Sequence, residues 1–248
     1  MEKENNPHRT LYLIPSSLGA ENIDYEIPAY NQDVMNSLHE FIVENVRTAR
    51  RFLRKAGYAH NFDEVVFHVL NKHTAENDVP GFLDHVSPDR PIGLLSEAGN
   101  PCIADPGQRV VAEAHRRGIK VVPLVGPNSI LMALIASGFN GQNFAFHGYL
   151  PIETDKRKEK IRQMELDALH HDQTQIFMET PYRNNSLLSE LYKSCHPSTL
   201  LCIASSITTP SEFIHTQAIK QWEKQSPDLK KKPAIFLLYT TRTSKKAI

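Results

Sequence analysis

The sequence predicts an α/β protein built as two α/β domains. Short apolar runs recur at regular intervals, and segments with helical spacing separate them. A chain of 248 residues with 40% hydrophobic content is also long enough for one large core or two of ordinary size. Strands that alternate with helices point to a largely parallel sheet covered on both faces.

After the polar start MEKENNPHR, the run TLYLIP (Thr10 to Pro15) is closed by proline and serines, as expected of a buried strand ending in a loop. Similar runs are Glu40 to Val43, Val65 to Leu70, Pro91 to Leu95, Lys120 to Val125 and Phe144 to Tyr149. Among the intervening segments, VRTARRFLRKAGY puts Phe52, Leu53 and Ala56 on one helical face, with Gly57 suited to the C-terminal cap. The stretch from Leu150 to Arg162 turns proline-bearing and then heavily charged, and reads either as a linker or as the exposed start of a helix reaching about His170. The second half repeats the alternation with TQIFMET, a helix from Pro181 to Lys193, TLLCIASS, SEFIHTQAI and a last apolar run, PAIFLLYTT. The expected domains are 1–124 and 125–248, with a hinge somewhere between Leu124 and Pro151.

Lysine plus arginine equals aspartate plus glutamate at 28 each, so no global field draws the chain to nucleic acid or membrane. Any such attraction must come from local patches. The start has no apolar signal core, and no later apolar run approaches the roughly 20 residues of a membrane span, so a soluble cytoplasmic protein with no membrane partner is expected. Cys102, Cys195 and Cys202 form neither a paired framework nor a CxxC site, and read as buried reduced thiols. The twelve histidines are scattered without metal-binding spacing, so no metal is expected.

Three loops follow apolar runs and open helices in one manner: Asp105 precedes Pro106, Gly126 precedes Pro127, and Thr180 precedes Pro181. Proline suits the first helical position, and the residue before it makes a good N-cap, so Asp105 reads as a helix cap before it reads as a catalytic carboxylate. That leaves Ser96, Glu97, Ala98, Gly99 and Asn100, which no cap or turn of this length requires. Ligands of open α/β sheets gather outside the carboxyl ends of strands, where small residues let backbone come close. Neither GxGxxG nor GxxxxGK[ST] is present, so on residues alone this is a ligand loop or simply a small polar loop.

Read in order, the loops resemble those of the tetrapyrrole methylase superfamily, and within it the ribosomal RNA small-subunit methyltransferase I family. LYLIPSSLGAEN stands where that family has a strand and a PTPIGN-like loop, and VENVR (Val43 to Arg47) where it has AEDTR. SEAGNPCIADPG (Ser96 to Gly107) is similar to SDAGTPxxxDPG, and PLVGPNS to PLPGP. HGYLP (His147 to Pro151) is similar to EGFLP, and FMETPYR (Phe177 to Arg183) to FYESPHR.

The resemblance implies two α/β domains with S-adenosylmethionine in the cleft between them, methyl transfer to a cytidine ribose 2′-hydroxyl of ribosomal RNA, and a homodimer. It implies cofactor contacts at Ser96, Asn100, Ile103, Ser129, Ile130, Met178, Ala204, Pro233 and Ala234. Without it, Ile103, Ile130, Met178 and Ala204 read as core and Ser129 as a local hydrogen-bonding residue. Departures fall where chemistry is expected. Glu97 replaces the family's Asp, Asn45 replaces another while Glu44 and Arg47 remain, and ASSITTPSEF has lost an Arg and a Lys.

Methyl transfer from a sulfonium is an in-line displacement from a donor that is already activated, so the protein supplies mainly position. A ribose hydroxyl is a poor nucleophile, and Glu44, Arg47 and Glu97 are the candidate base and cationic stabiliser, each also readable as a salt-bridging surface residue. Arg47, Arg50, Arg51, Arg54 and Lys55, with KRKEK and Lys230 to Lys232, could neutralise RNA phosphates or simply be solvated. Two other readings stay open: methylation of a tetrapyrrole or other small molecule, against which PSSLGAEN lacks a GxGxGD loop, and a cofactor- or RNA-binding module without catalysis.

Overall fold

The computed structural model describes residues 8–240. The first seven residues of the polar start, and Thr241 at the end of the last apolar run, lie outside them. Backbone contacts divide the chain into two units, 1–128 and 129–248.

In the first unit the elements run β1 (Thr10–Ile14), α1 (Ala29–Asn36), β2 (Glu40–Val43), α2 (Val46–Lys55), β3 (Val66–Val69), β4 (Ile92–Leu95), α3 (Gln108–Arg116) and β5 (Lys120–Pro123). The strands form one all-parallel sheet in the order β3-β2-β4-β1-β5. Alternation along β2 explains why its run is continuously apolar. Phe41 and Val43 pack with Met35 and Leu38 near α1 and Leu53 of α2, while Ile42 faces the cluster holding Val110 and Ala114 of α3. On α2, Ala49 and Leu53 are buried and Phe52 is half-buried, and Ala56 and Gly57 close the helix through N–H bonds to Phe52 O (2.8 Å) and Arg54 O (3.2 Å).

In the second unit α4 (Ser129–Ser137), β6 (Phe144–Tyr149), α5 (Thr154–His171), β7 (Thr174–Met178), α6 (Asn184–Ser194), β8 (Leu200–Ser205), β9 (Phe213–Ala218), α7 (Ile219–Trp222) and β10 (Ala234–Tyr239) follow. The charged stretch before His170 is therefore the start of a helix. The sheet order is β6-β7-β10-β8-β9, and only β6 and β7 are parallel. This corrects the expectation of a largely parallel sheet. Only residues 206–212 connect β8 to β9, too short a link for the crossover that parallel neighbours need. Burial on both faces again gives continuous apolar strands. Ile176, Cys202, Ile235 and Leu237 meet Ile130, Ala133 and Leu134 of α4, and the alternate residues Phe177, Ile203, Phe236 and Leu238 meet α5 and α6.

The three prolines lie ahead of their helices rather than at the first helical position. Helices α3, α4 and α6 begin at Gln108, Ser129 and Asn184, so the helix expected from Pro181 starts three residues later and ends at Ser194. Arg109 N–H bonds to Pro106 O (3.3 Å) and Arg183 N–H to Thr180 O (2.9 Å), so each of these two prolines enters a separate turn first. Among the described residues no helix is long and apolar enough to cross a membrane.

Candidate functional site

At the carboxyl end of the first sheet, the loops after β1, β2, β4 and β5 converge because these strands are neighbours in the sheet. The loop after β4 is fixed to the loop after β1 by a reciprocal backbone pair, Ser16 N–H to Gly99 O (2.9 Å) and Gly99 N–H to Ser16 O (3.0 Å). The Ser16 hydroxyl donates to Ser96 O (2.7 Å), and the Ser96 hydroxyl donates to Gly99 O (2.6 Å). Gly99 has φ +69°, and a Cβ there would lie 3.2 Å from Pro127 O in the loop after β5. A Cβ on Gly126 would lie 2.2 Å from Pro15 Cγ, so this glycine lets the ends of β1 and β5 touch.

The second half of the loop after β4 is backbone under strain. Cys102 and Ala104 take φ +69° and +60°, in the left-handed region that ordinary residues avoid. The Asp105 carboxylate holds them there by accepting from Cys102 N–H (2.9 Å to each oxygen) and Gly107 N–H (2.7 Å). Asp105 therefore organises the loop, whereas the residue flanking α3 is Gly107. Between the strained pair, Ile103 is 42% exposed, which removes the reading of it as core. Cys102 is half-exposed rather than buried, although desolvation and then Asp105 push its thiol up to about 11, so it stays protonated at neutral pH.

Glu44 directly follows β2 and opens the loop beside this one. It lines a recess with Asp105, Val43, Leu70 and Leu94. Burial among these apolar groups, then the charges of Asp105 and Glu97, raise its pKa above the usual carboxylate range. Asp105 is also raised by burial, although the N–H bonds from Gly107 and Cys102 oppose this. Glu97 is exposed, and its Oε1 accepts the Thr48 hydroxyl (2.6 Å) from the first turn of α2. Asn45, one of the departures, is the N-cap of α2. Its Oδ1 accepts from Arg47 N–H (2.9 Å) and Thr48 N–H (3.3 Å), so an asparagine serves the helix as well as an aspartate would. Asn45→Ala is expected to cost about 1 kcal/mol in denaturant unfolding. Arg47 is exposed on that first turn.

In the second unit, Met178, Ile235 and Ala204 stand in one row across β7, β10 and β8. Met178 and Ala204 pack in one cluster with Ile130 from the first turn of α4, whose first residue is Ser129. Met178 is half-buried, whereas Ala204 and Ile130 are buried. Pro233 precedes Ala234 at the head of β10, and its carbonyl accepts from Ser206 N–H (3.0 Å) and the Ser205 hydroxyl (3.1 Å). The departed segment after β8 is strained as well, with Ser206 at φ +52° and Thr208 at +71°. In FMETPYR, Arg183 Nη2 donates to the buried Glu179 (2.6 Å).

The structure thus collects Glu44, Ser96, Glu97, Asn100 and Ile103 at one end of the first sheet, with Arg47 one turn into α2. It places Ile130, Met178 and Ala204 in one cluster of the second unit, with Ser129, Pro233 and Ala234 in the adjoining segments. Ser16 and Thr48 escaped the sequence reading. The partner of each is remote in the chain, and no local pattern marks it.

The sequence profile of the tetrapyrrole (corrin/porphyrin) methylases matches residues 42–222. The chain belongs to that family. It is a methyltransferase by this membership, as the six loop motifs implied. It is 29% identical over 236 residues to the ribosomal RNA small subunit methyltransferase I of Vibrio cholerae, covering 94% of this chain and 77% of the relative. With the enzyme of the same name from Escherichia coli O157:H7 it shares 25% over 240 residues, 96% of this chain and 80% of the relative. The fold is similar to a uroporphyrin-III C-methyltransferase from Thermus thermophilus solved with S-adenosylhomocysteine, at TM-score 0.55 and 16% identity over 93% and 97% of the two chains.

Proposed function

We propose that this tetrapyrrole methylase uses S-adenosylmethionine to methylate a ribose 2′-hydroxyl of cytidine in small-subunit ribosomal RNA. The observation that carries the reading is the group of carboxylates at the end of the first sheet, with the pKa of Glu44 raised, beside a loop with strained backbone at Cys102 and Ala104. The names of the two bacterial relatives support the RNA acceptor, and the S-adenosylhomocysteine bound by the Thermus thermophilus enzyme supports the donor.

The donor supplies a methyl group already activated by a positive sulfur. Ser96, Asn100 and Ile103 in the first unit, and Ser129, Ile130, Met178, Ala204, Pro233 and Ala234 in the second, are the proposed contacts that hold it. The chemistry of the set fits: apolar side chains with a few placed polar groups suit a nucleoside, and Glu44, Glu97 and Asp105 favour a cation. Glu44 takes the proton of the attacking hydroxyl. A carboxylate with a raised pKa is a stronger base, and its apolar recess keeps water from competing for it. Glu97, fixed by Thr48, adds to the field that raises Glu44. Arg47 stands at the acceptor side, where its charge favours the nucleotide's phosphate. A cytoplasmic setting and a homodimer go with this reading, and the exposed Leu131 and Ile135, one turn apart on α4, support the dimer.

S-adenosylmethionine at about 100 times its dissociation constant is expected to raise stability by roughly 2.7 kcal/mol, read as a rise in melting temperature. Tritiated donor mixed with stripped small-subunit RNA, intact subunits or a tetrapyrrole precursor is expected to label the ribosomal substrates. Label in the tetrapyrrole alone would reassign the acceptor, and a melting shift without label in any of them would remove catalysis.

A further inference from the structure

Helix α2 carries a feature that methyl transfer itself does not need. Its residues Arg47, Arg50, Arg51, Arg54 and Lys55 follow each other at spacings of three, one, three and one, which places them on one side of the helix. All five are exposed, while Ala49 and Leu53 on the opposite side are buried. The helix contains no acidic residue, and among the described residues no salt bridge joins any of the five to a carboxylate. Several cations on other helices do have carboxylate partners. Arg116 and Arg117 at the end of α3 share Glu113, and on α5 Lys156 pairs with Glu153 and Arg157 with Glu190.

Like charges one turn apart repel, so an unneutralised row of five is a burden unless an anion relieves it. The row is also partly pre-shaped. The Arg54 guanidinium sits 4.3 Å from the centre of the Phe62 ring, and that of Arg50 lies 5.2 Å from Phe67 and 5.4 Å from Phe62. Stacking fixes a guanidinium plane while leaving N–H edges for an acceptor, and less freedom is then lost on binding. Arg54 also donates to Tyr58 O (2.7 Å) and Lys55 to Ala20 O (2.5 Å), bonds that anchor the side chains without cancelling their charge. The first turn of the same helix meets Glu97 through Thr48, so the row begins next to the carboxylates and extends about 12 Å along the axis.

We infer that this face of α2 is the surface on which the phosphodiester backbone of the substrate RNA lies, leading one of its nucleotides to the carboxylate end of the first sheet. The inference rests on the RNA reading above and names the part of the chain that grips the nucleic acid. Its occupant follows from charge complementarity: phosphates spaced along a strand match guanidiniums spaced along a helix, and arginine is the residue suited to bidentate phosphate contact.

The test compares the full-length protein with R50Q/R51Q/R54Q, and with K156Q/K158Q/K160Q on α5 as a variant of equal charge change. Binding of labelled small-subunit ribosomal RNA is measured at several salt concentrations. The α2 variant is expected to lose about tenfold or more in affinity near 0.1 M salt. The slope of log affinity against log salt is expected to shrink by about 2, roughly 0.7 for each lost phosphate contact on a single strand. The α5 variant should keep both. Equal losses in the two variants, or none in the α2 variant, would overturn the assignment. So would wild-type binding to phosphatidylserine vesicles, lost in the α2 variant, in place of binding to RNA. Should the triple variant melt early, R51Q alone, at a side chain for which no bond or ring contact is seen among the described residues, is expected to give about a third of the slope change. The melting shift produced by S-adenosylmethionine, followed in the same proteins, should be unchanged. Its absence from the wild type would sink the methyl-donor reading independently of where RNA binds.

Discussion

Glu44→Gln is expected to lower kcat by roughly 100- to 10,000-fold while raising the melting temperature at neutral pH. Both effects follow from one cause. Burial, then the charges of Asp105 and Glu97, make the carboxylate form of Glu44 costly in the folded chain and so raise its pKa. A carboxyl with a raised pKa binds its proton more tightly folded than unfolded. Its cost is therefore absent below the ordinary value of 4.5, grows as pH rises from there, and is complete above the raised value. Glutamine has the same shape and never ionises, so the variant escapes a cost that the wild type bears at neutral pH. Melting curves from acid to neutral pH should show the two proteins converging below pH 4.5 and separating above it. The wild type's activity should fall on the acid side as Glu44 takes up its proton, and the variant should lack that limb. A glutamine variant with normal turnover would remove Glu44 from the chemistry, and one less stable at neutral pH would contradict the electrostatic account.

The second large effect is expected at Asp105→Ala. This carboxylate accepts two backbone N–H groups and keeps Cys102 and Ala104 in left-handed conformations. Its removal leaves those donors unpaired at about 1–3 kcal/mol each where water cannot reach them, and frees the strained backbone around Ile103. Denaturant unfolding should show the loss of stability, and the melting shift with S-adenosylmethionine should largely disappear. Asp105→Asn separates bonding from charge. It retains an acceptor oxygen but not the negative charge that raises Glu44, so it should stay near wild-type stability and bind donor, while the acid limb of activity moves to lower pH. If alanine there left the donor-induced shift intact, the strained loop would have no part in holding the cofactor.

The strand positions were legible because both sheets have core packed on each face, so that buried strands are unbroken apolar runs. The same property hid their direction. A continuous apolar run carries no mark of parallel or antiparallel pairing, and only the seven-residue link from Ser206 to Glu212 revealed that β8 and β9 are a hairpin. Prolines marked three helix-opening loops but misplaced the helix starts, since a turn intervenes at Pro106 and Pro181.

At the candidate site the loop motifs were readable from residue order alone. The bonds that organise them were not. Ser16 meets Ser96 across 80 residues and Thr48 meets Glu97 across 49, distances at which no local pattern survives. Asp105 read as the cap of α3, but its bonds to Cys102 and Gly107 N–H organise the loop before that helix, and its influence on Glu44 crosses strands and needs the folded sheet. Ile103 shows the reverse: an apolar residue in an apolar setting reads as core until its exposure is known.

The pairing of β1 has a kinetic side. Every ladder partner of this strand lies far downstream, 81 residues on for Leu11 with Ile92 and 110 for Thr10 with Lys120. A ribosome adding about 5–20 residues per second needs on the order of 5–20 s to deliver them, and until then an apolar segment waits without a neighbour. Refolding of the first unit should accordingly be slow for its size, with closure of β1 between β4 and β5 as the late event, and nascent chains that stop short of β5 should be the ones chaperones retain.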